Sequence, residues 1–340
     1  MPAPPVSVVM PVRDGLPWLD DAVRSVLAQT YADFELVIVD DASTDGTADL
    51  LDAWQRRDPR VRVVHAREPL GLVGSSNAAA FAARGRLVAR MDADDVCHPE
   101  RLARQVAVLD AHPDAALVGT LMEGVDGDGR LVRPIDRWRL ARRSVFAPFP
   151  HGSIIVPRAL LERVGGYRRG CEYWEDLDLY LRLSRLGKVL VLPEALYRYR
   201  FHVGNVRRRD HGASVLRGTS LMLRCVARHR RGEPYDDLVA EAAVGAGGGP
   251  AAERPGVLAV YAYNAPRIWS AAPLDFWDHV GARDLATADP RVLGACAVAA
   301  GATVAPRACR AVLARLIGVR DRLAARFLEG GPVEWHFASS

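Results

Sequence analysis

Between residues 6 and 92 the chain alternates short apolar, β-branched runs with stretches of helical period. The strand-like runs are "VSVVMPV" (6–12), "FELVIVDD" (34–41), "VRVVHA" (61–66) and "RLVARMD" (86–92). Between them lie "WLDDAVRSVLAQT" (18–30), with Leu19, Ala22, Val23, Val26 and Leu27 at helical spacing, and "TADLLDAWQRRD" (47–58). The Ala-rich "GSSNAAAFAARG" (74–85) follows as a third helix, closed by Gly85. This rhythm predicts an α/β fold with a doubly wound, mainly parallel sheet. Ligands of such sheets sit beyond the carboxyl ends of the strands. Acids collect there: Asp14 after the first strand, Asp40 and Asp41 at the second, Asp92 and Asp94 at the fourth.

After residue 100 the rhythm changes. "PERLARQVAVLDAHP" reads as a helix, and "ALVGTLMEGVDGDGRLVR" as a hairpin turning on "DGDG". "GSIIVPRALLERVGGY" (152–167) reads as strand, helix and double-glycine stop, and "WEDLDLYLRLSRLG" (174–187) as an amphipathic helix before the strand "KVLVLPEALYRYRFH". From residue 212 the chain is Ala- and Arg-rich with helical periods, broken by "GAGGGP" (245–250). Residues 1–211 are therefore expected to form the main domain and 212–340 a mostly helical extension. The last basic, amphipathic helix suits either packing on its own domain or an anionic membrane surface.

Composition excludes several classes. The net charge of +4 is too weak a basic excess to argue for nucleic acid. Lys188 is the sole lysine and is followed by Val189, so no P-loop is present, and "RLGKVLVL" places it at a solvated strand start. Cys97, Cys171, Cys225, Cys296 and Cys309 are scattered, as reduced thiols of a cytoplasmic protein would be. The start "MPAPPVSVVMPV" lacks the pattern of a signal peptide, and no apolar run reaches membrane-spanning length.

The strand ending in "MDADD" puts Asp92, Asp94 and Asp95 side by side, where like charges repel and burial is costly. A positive group is expected there. An EF-hand begun at Asp92 fails, because its sixth and twelfth positions are Cys97 and Ala103. An aspartyl-phosphate phosphatase also uses D-x-D-x-V after a strand, but needs a lysine near the phosphate. An isolated D-x-D is equally compatible with a strand that merely stops in solvent.

The surrounding blocks add specificity. "PVRD", "QTY", "DDASTDGT", an Asn-containing helix, "DADD", "GGY", "WED" and a late His follow one another over residues 6–210. In this set and order the chain resembles the family 2 glycosyltransferases, with their GT-A fold. The resemblance implies an inverting sugar transfer from a nucleotide diphosphate-sugar, UDP- or dTDP-linked, to a hydroxyl of a glycan, lipid-linked precursor or small-molecule acceptor. It implies Mg2+ or Mn2+ on the diphosphate, with Asp94 and His202 as metal ligands, His202 being alternatively a diphosphate contact. A divalent cation there would supply the missing positive charge. Pro11, Val12, Asp14, Asp40, Asp41, Ser43, Asn77, Asp92 and Ala93 would line the nucleotide. Ser43 to Thr47 also suit a cap on the following helix. Asp176 would be the base and Glu175 its neighbour, at a helix start where the dipole favours an ionised carboxylate. Arg207, Arg208 and Arg209 suit phosphate or a solvated loop, and His151 the acceptor pocket.

The chain departs from the pattern in three places. Ser76 stands where the family has Arg before Asn77, leaving that guanidinium to Arg90 or another arginine, and Ala79 replaces a glycine. The late His is followed by "VGNVRR" in place of Ser-x-Ser. The rivals are a non-catalytic nucleotide-sugar or glycan-binding relative and a sugar-phosphate nucleotidyltransferase; "MPVRDGLP" lacks the latter's Gly-rich phosphate loop. The extension is expected to shape an acceptor site, a homodimer interface or a peripheral contact with the inner membrane face.

Overall fold

The computed structural model describes residues 3–133, 149–171, 174–202, 221–222, 224–226, 228–229, 231–244 and 336–337. Arg207 to Arg209, the 245–250 linker, the last basic helix, Cys296 and Cys309 lie outside the described residues. Two compact units are formed, Met1–His202 with Glu334–Ser340, and Val203–Val333. The sequence had placed the boundary at residue 211.

The first unit opens β1 (Val6–Val12), α1 (Leu19–Leu27), β2 (Phe34–Asp40), α2 (Thr47–Arg57), β3 (Val61–His65), α3 (Gly71–Ala82) and β4 (Leu87–Arg90). β1 pairs in parallel with β2 and β4, and β2 with β3. Every residue of β1, β2 and β4 is buried. That explains their largely apolar runs, since a parallel strand covered on both faces has no solvated side; the Ser7, Glu35 and Arg90 within them are buried and hydrogen-bonded. β3 is an edge strand and grades from buried Val61 to exposed Val64 and His65. α1 seats Leu19, Ala22, Val23 and Val26 on the sheet core, each larger side chain contributing about 1.5–3 kcal/mol by leaving water.

The rest of the sheet is mixed. β5 (Val96–Cys97) leads to α4 (Arg101–Ala111), then β6 (Ala115–Val125) turns back as the short β7 (Leu131–Arg133). β8 (Ile155–Pro157) lies antiparallel between β4 and β6 and is followed by α5 (Arg158–Arg163). α6 (Glu175–Ser184) precedes β9 (Lys188–Arg200), which runs parallel to β6. β10 (His336–Phe337) adds to β9 in parallel. The expectation of a mainly parallel sheet thus fits β1 to β4, while β8 reverses direction. Lys188 is exposed and pairs with Asp114 at 2.6 Å, as a solvated strand start should.

Two local expectations are corrected. α3 ends at Ala82 with an extended Ala83, and Gly85 lies beyond it; a Cβ on Gly85 would be 2.6 Å from the Ser7 amide nitrogen, so close approach of two backbones demands the glycine. α2 takes Gly46, at φ +89°, as N-cap without a side-chain cap; Asp45 instead accepts from the Thr47 amide and hydroxyl. The second unit contains α7 (Asp236–Val244). No described helix is long and apolar enough to cross a membrane.

Candidate active site

The loops leaving β1 and β2 are laced together. Ser43 Oγ accepts from the Asp14 amide at 2.9 Å, Asp14 Oδ1 accepts from the Thr44 amide at 2.8 Å, and Thr47 Oγ1 accepts from the Gly15 amide at 2.8 Å. Asp14 and Ala42 adopt positive φ (50° and 54°) without being glycine, a strain of about 1–3 kcal/mol each that surrounding bonds must hold. Pro11 and Val12 are buried at the end of β1.

Asp40 and Asp41 are both 3% exposed, and each has internal partners. Asp40 Oδ1 accepts from the Ser43 amide, and Oδ2 lies 2.9 Å from His65 Nδ1, whose Nε2 is 3.1 Å from Asp52 Oδ1. The bond to Asp40, opposed by partial burial and aided by Asp52, raises the His65 pKa above its ordinary value. Asp41 accepts from the Leu70 and Gly71 amides at the start of α3, where the helix dipole favours a carboxylate.

The crowded carboxylates after β4 go to separate partners. Asp92 Oδ1 accepts from Arg90 Nε at 3.1 Å and Nη2 at 2.7 Å. Burial pushes the Asp92 carboxyl up, but Arg90, with His151 and Arg101 behind it, brings it below the usual range. Asp94 Oδ2 lies 2.9 Å from His202 Nε2, just beyond β9. Asp95 is 1% exposed and accepts from the Arg200 amide at 2.7 Å. Burial and the charges of Asp94 and Asp92 hold Asp95 well above the usual carboxylate range, favouring its neutral form. Ala93, between Asp92 and Asp94, is partly buried.

The tip of the β6–β7 hairpin closes on this loop. The Gly127 carbonyl accepts from Trp18 Nε1 at 3.1 Å and Arg200 Nη1 at 2.8 Å, and Arg200 Nε donates to the Asp94 carbonyl. Trp18 also stacks on His202, with ring centroids 3.9 Å apart.

A second group of residues gathers around Tyr167 and Tyr180. Both phenols are raised, first by burial and then by nearby charge: Asp92 and Asp176 act on both, Glu175 on Tyr167. Asp176 and Asp92 thus both lie within electrostatic reach of these two phenols. Asp176 Oδ1 accepts from the Leu177 amide in the first turn of α6, and Glu175 is 5% exposed beside it. Asp178 is held by Arg168 and Arg182, a structural ion pair network. His151 Nε2 is 2.7 Å from the Tyr167 hydroxyl. Asn77 has its side-chain amide engaged by the main chain of Tyr167, donating to its carbonyl and accepting from its amide, each at 2.8 Å. It holds the turn at Gly166, where φ is +67° and a Cβ would lie 2.4 Å from Asn77 Oδ1.

Among the described residues no three His, Cys, Asp or Glu form a metal-binding group. Asp94 and His202 offer one oxygen and one nitrogen, which fits a cation that completes its shell with phosphate oxygens and water. Trp18, His65 and Arg200 escaped sequence reasoning, as did Tyr197, whose hydroxyl accepts from the Asp92 amide at 3.3 Å. Trp18 looks like an ordinary helix-start aromatic, and "YRYR" alternates as any strand does.

Comparison with known proteins places these residues in context. The profile described as Glycosyl transferase family 2 matches residues 7–162. The putative glycosyltransferase EpsE of Bacillus subtilis is 32% identical over 220 residues, covering 62% of this chain and 78% of EpsE. The O-antigen biosynthesis protein RfbC of Myxococcus xanthus is 32% identical over 238 residues, 68% of this chain but 18% of RfbC. Among solved structures, S. aureus TarS in complex with UDP-GlcNAc gives a TM-score of 0.56 at 18% identity, covering 88% of this chain and 91% of TarS 1–349. The mannosyltransferase PcManGT of Pyrobaculum calidifontis, in complex with GDP-Man and Mn2+, gives 0.56 at 19% identity over 95% of this chain and 86% of its own.

Proposed function

The chain belongs to glycosyltransferase family 2, and we propose that it is a metal-dependent, inverting enzyme moving a sugar from a nucleotide diphosphate-sugar to an acceptor hydroxyl. The observation that carries this reading is the Asp94–His202 pair, 2.9 Å apart beyond β4 and β9, with Asp92 held beside it. Asp94 and His202 would hold Mg2+ or Mn2+, which would neutralise the charge developing on the departing diphosphate.

Asp176 takes the proton from the acceptor hydroxyl as that oxygen bonds to the anomeric carbon, opposite the breaking bond to phosphate. Its place in the first turn of α6 favours the ionised form a base requires. Glu175 sits beside it, and His151 and Tyr167 border the acceptor side. Pro11, Val12, Asp14, Asp40, Asp41 and Ser43 frame the nucleotide, with Ala93 next to Asp92. The internal partners of Asp40 and Asp41 make them a rigid wall for the base and ribose. Asn77 holds the main chain of Tyr167, on the acceptor side, through two hydrogen bonds.

The ligands of the TarS and PcManGT structures support UDP and GDP sugars as donor classes, and the sequence resemblance supports UDP and dTDP sugars. An envelope or secreted polysaccharide, as in the biosynthetic name of RfbC, supplies the acceptor class. The reading is tested by incubating the full chain with UDP-, dTDP- and GDP-sugars, Mn2+ and extracted glycan acceptors. Release of nucleoside diphosphate with sugar incorporation into acceptor supports it. Absence of transfer from every donor, in folded protein that binds them, would favour a non-catalytic binding protein.

A further inference from the structure

Arg90 is 4% exposed, a burial that costs a charged group dearly unless it is paired. Each of its three nitrogens is engaged: Nε and Nη2 donate to Asp92 Oδ1, and Nη1 donates to Ser76 Oγ at 2.9 Å. Ser76 lies on α3 and is 1% exposed, its hydroxyl turned to the guanidinium. Arg101, also buried, donates to the Arg90 and Gly152 carbonyls and braces the backbone on which Arg90 stands.

We infer that Arg90 is a positioning residue for Asp92, delivering from β4 a guanidinium to the space that the side chain of residue 76 faces on α3. Positions 76 and 90 then form one module, with the charge on either element and a small partner on the other. Arg90 acts through Asp92, since all three of its nitrogens are turned to Asp92 and Ser76 and its side chain is only 5% exposed. This rests on the reading of Asp92 as a donor-site residue.

The test is calorimetric binding of UDP, dTDP and GDP with Mn2+ to the full-length protein, with thermal melts of each variant. Arg90→Ser is expected to weaken the bound nucleotide on the order of tenfold. Adding Ser76→Arg to Arg90→Ser is expected to restore most of that loss. In an Asp92→Ala background, Arg90→Ser is expected to cost nothing further, since the two residues act as one. Should Arg90→Ser not fold, Arg90→Lys keeps a charge but loses the two-pronged grip, and weaker binding with an intact melt supports the inference. Unchanged binding in folded Arg90→Ser or Arg90→Lys overturns it, as does a double variant no better than Arg90→Ser. A wild-type protein that binds none of the three nucleotides overturns the donor-site reading and this inference with it.

Discussion

The indole of Trp18 lies over the imidazole of His202, centroids 3.9 Å apart, while its Nε1 donates to the Gly127 carbonyl. One side chain from the start of α1 thus fixes both a proposed metal ligand and the hairpin tip above it. Trp18→Phe keeps the ring contact and loses the hydrogen bond, whereas Trp18→Ala loses both. Stacking of this kind is worth about 0.5–1.5 kcal/mol. Mn2+-dependent nucleotide binding should therefore weaken several-fold in Trp18→Ala and less in Trp18→Phe, as calorimetry would read. Equal binding in all three proteins would show that the stack does not order His202.

Gly152 has no room for a side chain: a Cβ would lie 1.9 Å from the Tyr197 hydroxyl oxygen and 2.8 Å from Asp92 Oδ2. Gly152→Ala should cost about 1–3 kcal/mol of stability by overpacking and should also weaken nucleotide binding, because Asp92 must shift. Urea denaturation and calorimetry on one preparation check both effects.

His65 bridges Asp40 and Asp52, and those contacts raise its pKa above the ordinary 6.5. A raised folded-state pKa stabilises the fold fully below 6.5, and that contribution is lost as pH rises through the folded value. The melting temperature should fall across that window in wild type, and the fall should be smaller in His65→Gln. Identical pH profiles for the two proteins would rule out the bridge as a contributor.

Asp176→Asn should leave nucleotide binding intact and lower sugar transfer by about 10²–10⁴-fold, the usual scale for loss of a general base. A mutant that transfers sugar at the wild-type rate would move the base elsewhere.

Much of this was legible in the sequence because burial on both faces writes itself as a short, largely apolar run. β1, β2 and β4 are such runs, and their places follow from the residue pattern despite Ser7, Glu35 and Arg90 within them. α1 was equally plain, its buried Leu19, Ala22, Val23 and Val26 repeating at helical spacing. The reversal at β8 was not, since a three-residue strand carries no mark of direction. Gly85 misled because a glycine required by an approaching backbone looks the same as one ending a helix. Asn77 shows a related difficulty: its partner Tyr167 is 90 residues away. The pairing of Arg90 with Ser76 is the converse case. Arg90 was one of the arginines the sequence offered in place of the one missing from α3, and the fold puts its Nη1 2.9 Å from Ser76 Oγ.

The central claim is a donor site built on Asp94 and His202. Its most direct measurement is calorimetric titration of UDP, dTDP and GDP into the wild-type chain and Asp94→Ala, with and without Mn2+. The account predicts that wild type binds one of these nucleotides tightly only when Mn2+ is present, and that Asp94→Ala loses this binding while melting as a folded protein. Metal-independent binding, or metal-dependent binding that survives in Asp94→Ala, would contradict it.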